Sequence, residues 1–260
     1  MYSGCCRGGM MRMKKEEYRW FLKDTVRTTV DFSQTQQNLG YPPPPVQKPR
    51  PEGSHIIPLP GPEEAGALCD ISVAEAIRRR SSHRKYSVKP LAIEELSFLL
   101  WATQGVRGDR DPVRSYRTVP SAGCRHPFET YLAVFRVESL QKGMYRYLPF
   151  DHALLPLGCP SDLESRMSRA AHNQPFAGKS AVTFIWTALP ERTEWRYSEA
   201  SVKVIALDAG HVCQNLYLAC EAADAGTCAI AAYDQELADS LIGVDGENEF
   251  VLYMAPVGKL

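Results

Sequence analysis

MYRYLP at residues 144–149 and ALLPLG at 153–158 are separated only by FDH, residues 150–152. Two runs of aromatic and apolar side chains joined by so short a link read as an antiparallel hairpin. Upstream, ETYLAVFRV at 129–137 has the β-branched and aromatic content of a strand. Downstream, AVTFIWTAL at 181–189 reads as a buried strand, and FVLYMAPVG at 250–258 as the last one. Helical patterns lie between and around them. Ser72 and Glu75, preceded by Ile71, form a capping box that opens a helix running into Arg78, Arg79 and Arg80. Leu96, Leu99, Leu100 and Thr103 recur at helical spacing over 93–104, and Gly105 ends that helix. Ser161 and Glu164 make a second capping box, Asp208 opens a long apolar helix closed by Gly226, and residues 234–242 form another helix. Strands and helices do not alternate strictly and a hairpin sits in the middle. The chain is therefore read as α+β rather than as a doubly wound parallel sheet. No G-x-G-x-x-G follows the first strand, so a Rossmann dinucleotide site is not supported.

The first 69 residues form a separate region ahead of a domain spanning 70–260. Tyr18, Phe21, Leu22 and Val26 fit one amphipathic helix over 14–28. YPPPPVQKPRPEG at 41–53 cannot be helical, because consecutive prolines remove donors and fix polyproline geometry. Such an arm serves either as a polyproline ligand for a partner domain or as a stiff strap across the protein's own surface; its stiffness favours the strap.

Composition narrows the function. Thirty basic residues balance thirty acidic ones, so no global field draws the chain to nucleic acid or to an anionic membrane. No apolar run approaches the roughly 18 to 20 residues of a membrane span. The start, MYSGCCRGGMMRMKK, lacks an apolar export signal, and Met10, Met11 and Met13 are alternative initiators. The expectation is a cytoplasmic protein. The eight cysteines, Cys5, Cys6, Cys69, Cys124, Cys159, Cys213, Cys220 and Cys228, are read as thiols in a chain too long to need disulfides. Cys213 and Cys220 fall two turns apart on one helical face, which suits packing. Without a Cys-x-x-Cys pair or a histidine pair at zinc spacing, no metal site is expected.

Four constellations can carry chemistry. RRRSSHRKY at 78–86 places Arg80, Ser81, Ser82 and Arg84 together. Guanidinium forks and seryl hydroxyls suit a phosphomonoester, although basic residues in a last helical turn also complement the helix dipole. Pro120, Ser121, Ala122 and Gly123 are small enough to let a planar ligand approach, or to make a plain turn. Ala229, Ala231 and Ala232, within TCAIAAY at 227–233, obstruct little. Gly258 and Lys259 make a flexible basic end.

Arg-x-Ser-x-Arg after a helix, PSAG leading into HPFETY, LDAGHVCQNLYLA, CAIAAYD before a helix and a terminal PVGK stand in the order and spacing of one superfamily. From residue 70 to 259 the chain resembles the nitroreductases, most closely their SagB/ThcOx-type branch, and the arm with HIIPLP resembles stand-alone members of that branch. The resemblance implies a central mixed, mostly antiparallel sheet flanked by helices. It implies FMN bound between two identical subunits, with NAD(P)H as electron donor and a small-molecule acceptor. Arg80, Ser81, Ser82 and Arg84 would hold the phosphate and the ribityl or pyrimidine edge, with Lys259 as a second phosphate cation. Pro120, Ser121 and Gly123 would pack on the isoalloxazine from the opposite subunit. Ala231 and Ala232 would offer an amide to flavin N5, at positions where the family usually has glycine. The helix expected from Asp208 resembles the family's dimer helix; Ala209, Gly210, Ala219, Ala222 and Ala223 suit close contact there or an ordinary core helix. His211 is read as a packed, hydrogen-bonded residue and Asp208 as the cap.

Three functions follow. The first is an NAD(P)H-dependent FMN reductase of nitro compounds, quinones or similar acceptors. The second is an azoline-to-azole dehydrogenase acting on peptides. Its relatives carry Lys-Tyr where Arg196 and Tyr197 stand here, and arginine is a poor base because it does not surrender its proton. Tyr197 remains a candidate acid or base, or pocket lining. The third is a flavin-free interaction subunit that uses its proline arm.

Overall fold

The computed structural model describes residues 15–64, 68, 70–108, 111 and 113–260. Cys5, Cys6, Cys69 and the candidate start methionines lie outside the described residues. In chain order the elements are α1 (Lys15–Trp20), β1 (Ile57–Pro58), α2 (Val73–Arg79), α3 (Ile93–Gln104), β2 (Phe128–Val134), β3 (Gly143–Leu148), β4 (Ala153–Gly158), α4 (Leu163–Ala170), α5 (Phe176–Lys179), β5 (Val182–Ala188), α6 (Glu191–Tyr197), α7 (Ser201–Ala222), β6 (Ala225–Thr227), α8 (Gln235–Ile242) and β7 (Phe250–Lys259).

The hairpin forms as β3 and β4, with Leu148 opposite Ala153. It extends into a seven-stranded sheet of order β1-β4-β3-β2-β5-β7-β6. All pairs between these strands are antiparallel, so the mixed character expected of the sheet reduces to isolated parallel bridges, Ser82 with Thr227 and Leu91 with Val137. Side chains alternate across β2 and β5, as a period of two requires. Leu132, Val134, Phe184 and Trp186 pack in the cluster that holds α3 and α7; Tyr131, Ala133 and Ile185 join α4, α5 and α8 on the other face. The α+β reading holds, with helices on both faces.

Local signals succeeded where a side chain had no other employment. Ser72 accepts from the Glu75 amide at the head of α2, and Asp234 caps α8 through the Leu237 amide. The second capping box does not form: α4 begins after Asp162 without a side-chain cap, and Glu164 instead pairs with Lys142. The helix expected from Asp208 begins seven residues earlier, at Ser201. The inward stripe Ser201, Ile205, Asp208, Ala209, Val212, Cys213, Leu216, Ala219 and Cys220 is buried along its whole length, so Asp208 stands mid-helix rather than at a cap. Cys213 and Cys220 are core residues, and burial pushes the Cys213 thiol up to about 12. The first helix stops at Trp20 rather than reaching Thr28, with Phe21 and Leu22 exposed and Val26 buried in a separate 3-10 turn. With Trp20 exposed as well, so short a helix has little burial to sustain it.

The proline arm is a strap. Its carbonyls, free of any ladder, accept from buried arginines: Arg125 donates to Pro44 O at 2.8 Å, Arg117 to Val46 O at 2.7 Å and Arg146 to Pro49 O at 2.9 Å. The Lys48 amide in turn donates to Glu129 at 2.7 Å.

Candidate functional site

Two clusters of the expected residues form on opposite sides of α7. The first starts where α2 ends. Of its three consecutive arginines, Arg78 pairs with Glu75 and Arg79 with Glu221, whereas Arg80 and Arg84 meet no carboxylate among the described residues. The Arg80 guanidinium lies 5.5 Å from the centre of the Tyr217 ring, within cation–π range. Ser82 Oγ lies 2.9 Å from the Tyr217 hydroxyl, which accepts from the Ala229 amide at 2.9 Å. Ser81 Oγ pairs with His83 Nε2 at 2.8 Å instead. Tyr217 thus ties the arginine loop to the segment that carries Ala231 and Ala232. Both alanines are exposed, and their amides donate to no acceptor among the described residues.

Two glycines explain why the loop runs there. A Cβ on Gly226 would stand 2.8 Å from His83, and one on Gly258 would stand 2.9 Å from Tyr86. Only bare backbone lets the loop lie across β6 and β7, where the His83 amide reaches Thr227 O and the Ser87 amide reaches Lys259 O. Gly258 and Lys259 are therefore not a flexible end; they complete β7. Arg84 borders a cavity of about 380 Å³ with Lys85, Tyr86, Pro175, Phe176 and Lys179. The Lys259 ammonium has partners of its own. It donates to Glu95 at 2.6 Å and to Ala223 O at 2.7 Å, because the buried Glu95 carboxylate at the head of α3 needs a counter-charge.

The second cluster is the turn of Pro120, Ser121, Ala122 and Gly123. Ser121 Oγ donates to Asp208 at 2.6 Å and the Ala122 amide donates to the same carboxylate at 3.0 Å. Burial pushes the Asp208 carboxyl above its ordinary range, and these two donors pull it back. Gly123, Cys124 and His126 all take positive φ, at 61°, 56° and 45°. Two non-glycine residues in that region store strain of the kind found at functional sites. A Cβ on Gly123 would stand 2.7 Å from Arg196 Cδ and 3.0 Å from the Tyr197 hydroxyl, so the turn closes directly onto the end of α6. Pro120 is exposed at its edge. His211, expected to be packed, is instead half exposed, 3.8 Å from Asp208.

Asp208 and Tyr217 are nine residues apart on α7, which at 100° per residue is half a turn out of phase and roughly 13 Å along the axis. One chain therefore turns its arginine loop and its PSAG turn away from each other. The sequence model of the Nitroreductase family matches residues 77–259, a span that contains both clusters. The chain belongs to the nitroreductase family. MJ1384 of Methanocaldococcus jannaschii, a protein named for the nitroreductases, is 32% identical over 191 residues, 73% of this chain and 92% of its own. Among solved structures, one named for the same family, from Ralstonia eutropha JMP134, superposes with a TM-score of 0.65 at 24% identity, covering 84% of this chain and 98% of that one. A chain of the Escherichia coli microcin synthetase McbBCD complex gives 0.58 at 18% identity, covering 96% and 98%. The NADPH:FMN oxidoreductase of Vibrio harveyi gives 0.51 at 17%, covering 72% and 68%.

Within this nitroreductase-family chain, sequence reasoning missed Tyr217, Gly226 and the helix α6. Tyr217 sits in an apolar helical run that masked its hydroxyl, and Gly226 was read only as a helix stop. Among the described residues no helix is long and apolar enough to cross a membrane.

Proposed function

We propose that this chain is an FMN-dependent oxidoreductase that passes electrons from NADH or NADPH to a small organic acceptor such as a nitro compound or a quinone. The observation that carries the reading is the first cluster: Arg80, without a carboxylate partner, the Ser82 hydroxyl and the segment carrying two undonated amides are tied together by Tyr217, and Arg84, also without a carboxylate partner, follows on the same loop. Arg80 and Ser82 fit a phosphate, since a guanidinium fork and a hydroxyl complement its oxygens. Arg84 fits the polar edge of the flavin, and the amide of Ala231 or Ala232 fits N5. When bound, FMN supplies two-electron transfer: a nitro group taken to nitroso consumes one NAD(P)H and one proton and releases NAD(P)⁺ and water. The chain's own part is to bind, orient and place fixed donors where negative charge accumulates.

Two copies of the chain would complete one site. The half-turn offset of Asp208 and Tyr217 turns the PSAG turn away from the arginine loop, and α7 leaves Val202, Ala206, Leu207 and Gly210 exposed as a surface for its counterpart. A homodimer across α7 would bring the PSAG turn of one copy over the arginine loop of the other. Lys259 has no phosphate role in this reading; it neutralises Glu95.

Stopped-flow mixing tests the proposal. The FMN-loaded protein should lose its flavin colour with NADPH or NADH and recover it with a nitroaromatic or a quinone. Absence of bleaching with both nicotinamides would overturn the assignment.

A further inference from the structure

Three buried arginines near the PSAG turn are held by fixed acceptors. Arg192 pairs with Glu129; Arg125 donates to the carbonyls of Arg192, Val113 and Pro44; and Arg117 donates to Gln104, Ser115 and Val46 O. Arg196 is different. It is half-buried at the end of α6, yet has no ion pair and no hydrogen bond among the described residues. Asp208 holds Ser121 and Ala122, Glu199 holds Ser198, and Glu191 and Glu194, earlier on α6, form no ion pair with Arg196.

The Arg196 guanidinium stands 5.7 Å from the centre of the Tyr197 ring. The Tyr197 hydroxyl likewise has no hydrogen-bond partner among the described residues. Gly123 lacks the Cβ that would strike both side chains, so the PSAG turn closes against this pair. Burial pushes the Arg125 guanidinium down to about 10, and the neighbouring Arg192 and Arg196 charges push the same way. A partly desolvated fork without a counter-ion, beside a free phenol, is complementary to a planar oxyanion, which it can grip through two parallel N–H bonds and one O–H.

We infer that Arg196 and Tyr197 select the acceptor, and that the acceptor carries a carboxylate. The inference rests on the flavoenzyme reading, which puts the PSAG turn beside the reacting ring, and it narrows the acceptor from small organic molecules to anionic ones. Arg196 determines specificity; it moves no proton.

The test compares 4-nitrobenzoate with its neutral isostere 4-nitrobenzamide as acceptors for the FMN-loaded protein. The wild type should favour the carboxylate in kcat/KM by about tenfold or more, and Arg196→Gln should reduce that preference about 10- to 100-fold, mainly through KM, the range expected for a lost charge-assisted bond. Arg196→Lys, which keeps charge but loses the fork, should fall between. No preference in the wild type, or equal damage to both acceptors in Arg196→Gln, would overturn the inference. So would dissociation of a wild-type dimer by Arg196→Gln, because the guanidinium would then serve the partner subunit. If neither compound turns over, bleaching of the bound flavin by NADPH or NADH decides the flavoenzyme reading, and calorimetry with benzoate decides this one: binding abolished in Arg196→Gln retains the anion site, and no binding to the wild type removes it.

Discussion

The Tyr217 hydroxyl lies 2.9 Å from Ser82 Oγ, joining the C-terminal third of the longest helix to a loop 135 positions earlier in the chain. The same oxygen accepts from the Ala229 amide, so a single phenol sets the spacing between the arginine loop and the exposed alanine segment. Tyr217→Phe removes both bonds and leaves the ring beneath Arg80. Each net hydrogen bond contributes about 0.5–1.5 kcal/mol, so with two lost FMN should bind at least about 5-fold more weakly, read by titration of flavin fluorescence. An unchanged affinity would show that the loop and the alanine segment hold their spacing without this bridge.

The strap supplies a second prediction. Arg192 and Glu129 form an ion pair with both side chains about 1–2% exposed, and Glu129 also receives the Lys48 amide of the arm. Removing one member leaves an uncompensated buried charge, at a cost of about 3–5 kcal/mol. Arg192→Met and Glu129→Gln should each lower the urea midpoint accordingly. The double variant should recover part of the loss, because no lone charge remains. Strictly additive losses would mean that the two groups do not depend on one another.

Stability should also fall on mild acidification because of His126. Burial, and then the neighbouring Arg117 charge, push this imidazole down from 6.5 to about 2. Above pH 6.5 the ring is neutral in both the folded and unfolded chain and nothing is lost. Below it the unfolded chain takes up a proton that the folded one refuses, so each unit down towards pH 2 costs about 1.4 kcal/mol, or roughly 2 kcal/mol by pH 5. His126→Asn, chosen because asparagine tolerates the positive φ at this position, should flatten the dependence of Tm on pH between 6.5 and 5. An unaltered slope would assign the acid sensitivity to other groups.

What could be read from the sequence follows from where each residue's partners lie. The hairpin, the strands and the helix over 93–104 were legible because periodicity is a local property. Asp208 was misread because its partner, Ser121, lies 87 positions away, and nothing local distinguishes a mid-helix carboxylate that braces a turn from one that caps a helix. The Glu95 partner of Lys259 was out of view for the same reason: it is 164 positions distant. The short helix α6 was hidden by its charged residues, although it carries Arg196 and Tyr197. Arg80, Ser82 and Arg84 were legible as a motif, and the structure supplied the selection among neighbours, leaving Arg80 and Arg84 unpaired while Arg78 and Arg79 are not.

If each flavin sits between two copies paired across α7, with two such sites per dimer, size-exclusion chromatography of the FMN-reconstituted protein, monitored in the flavin absorbance band, tests that arrangement most directly. Flavin colour should co-elute with a dimer, at one FMN per subunit. A colourless protein peak, or flavin travelling with a monomer, would contradict it.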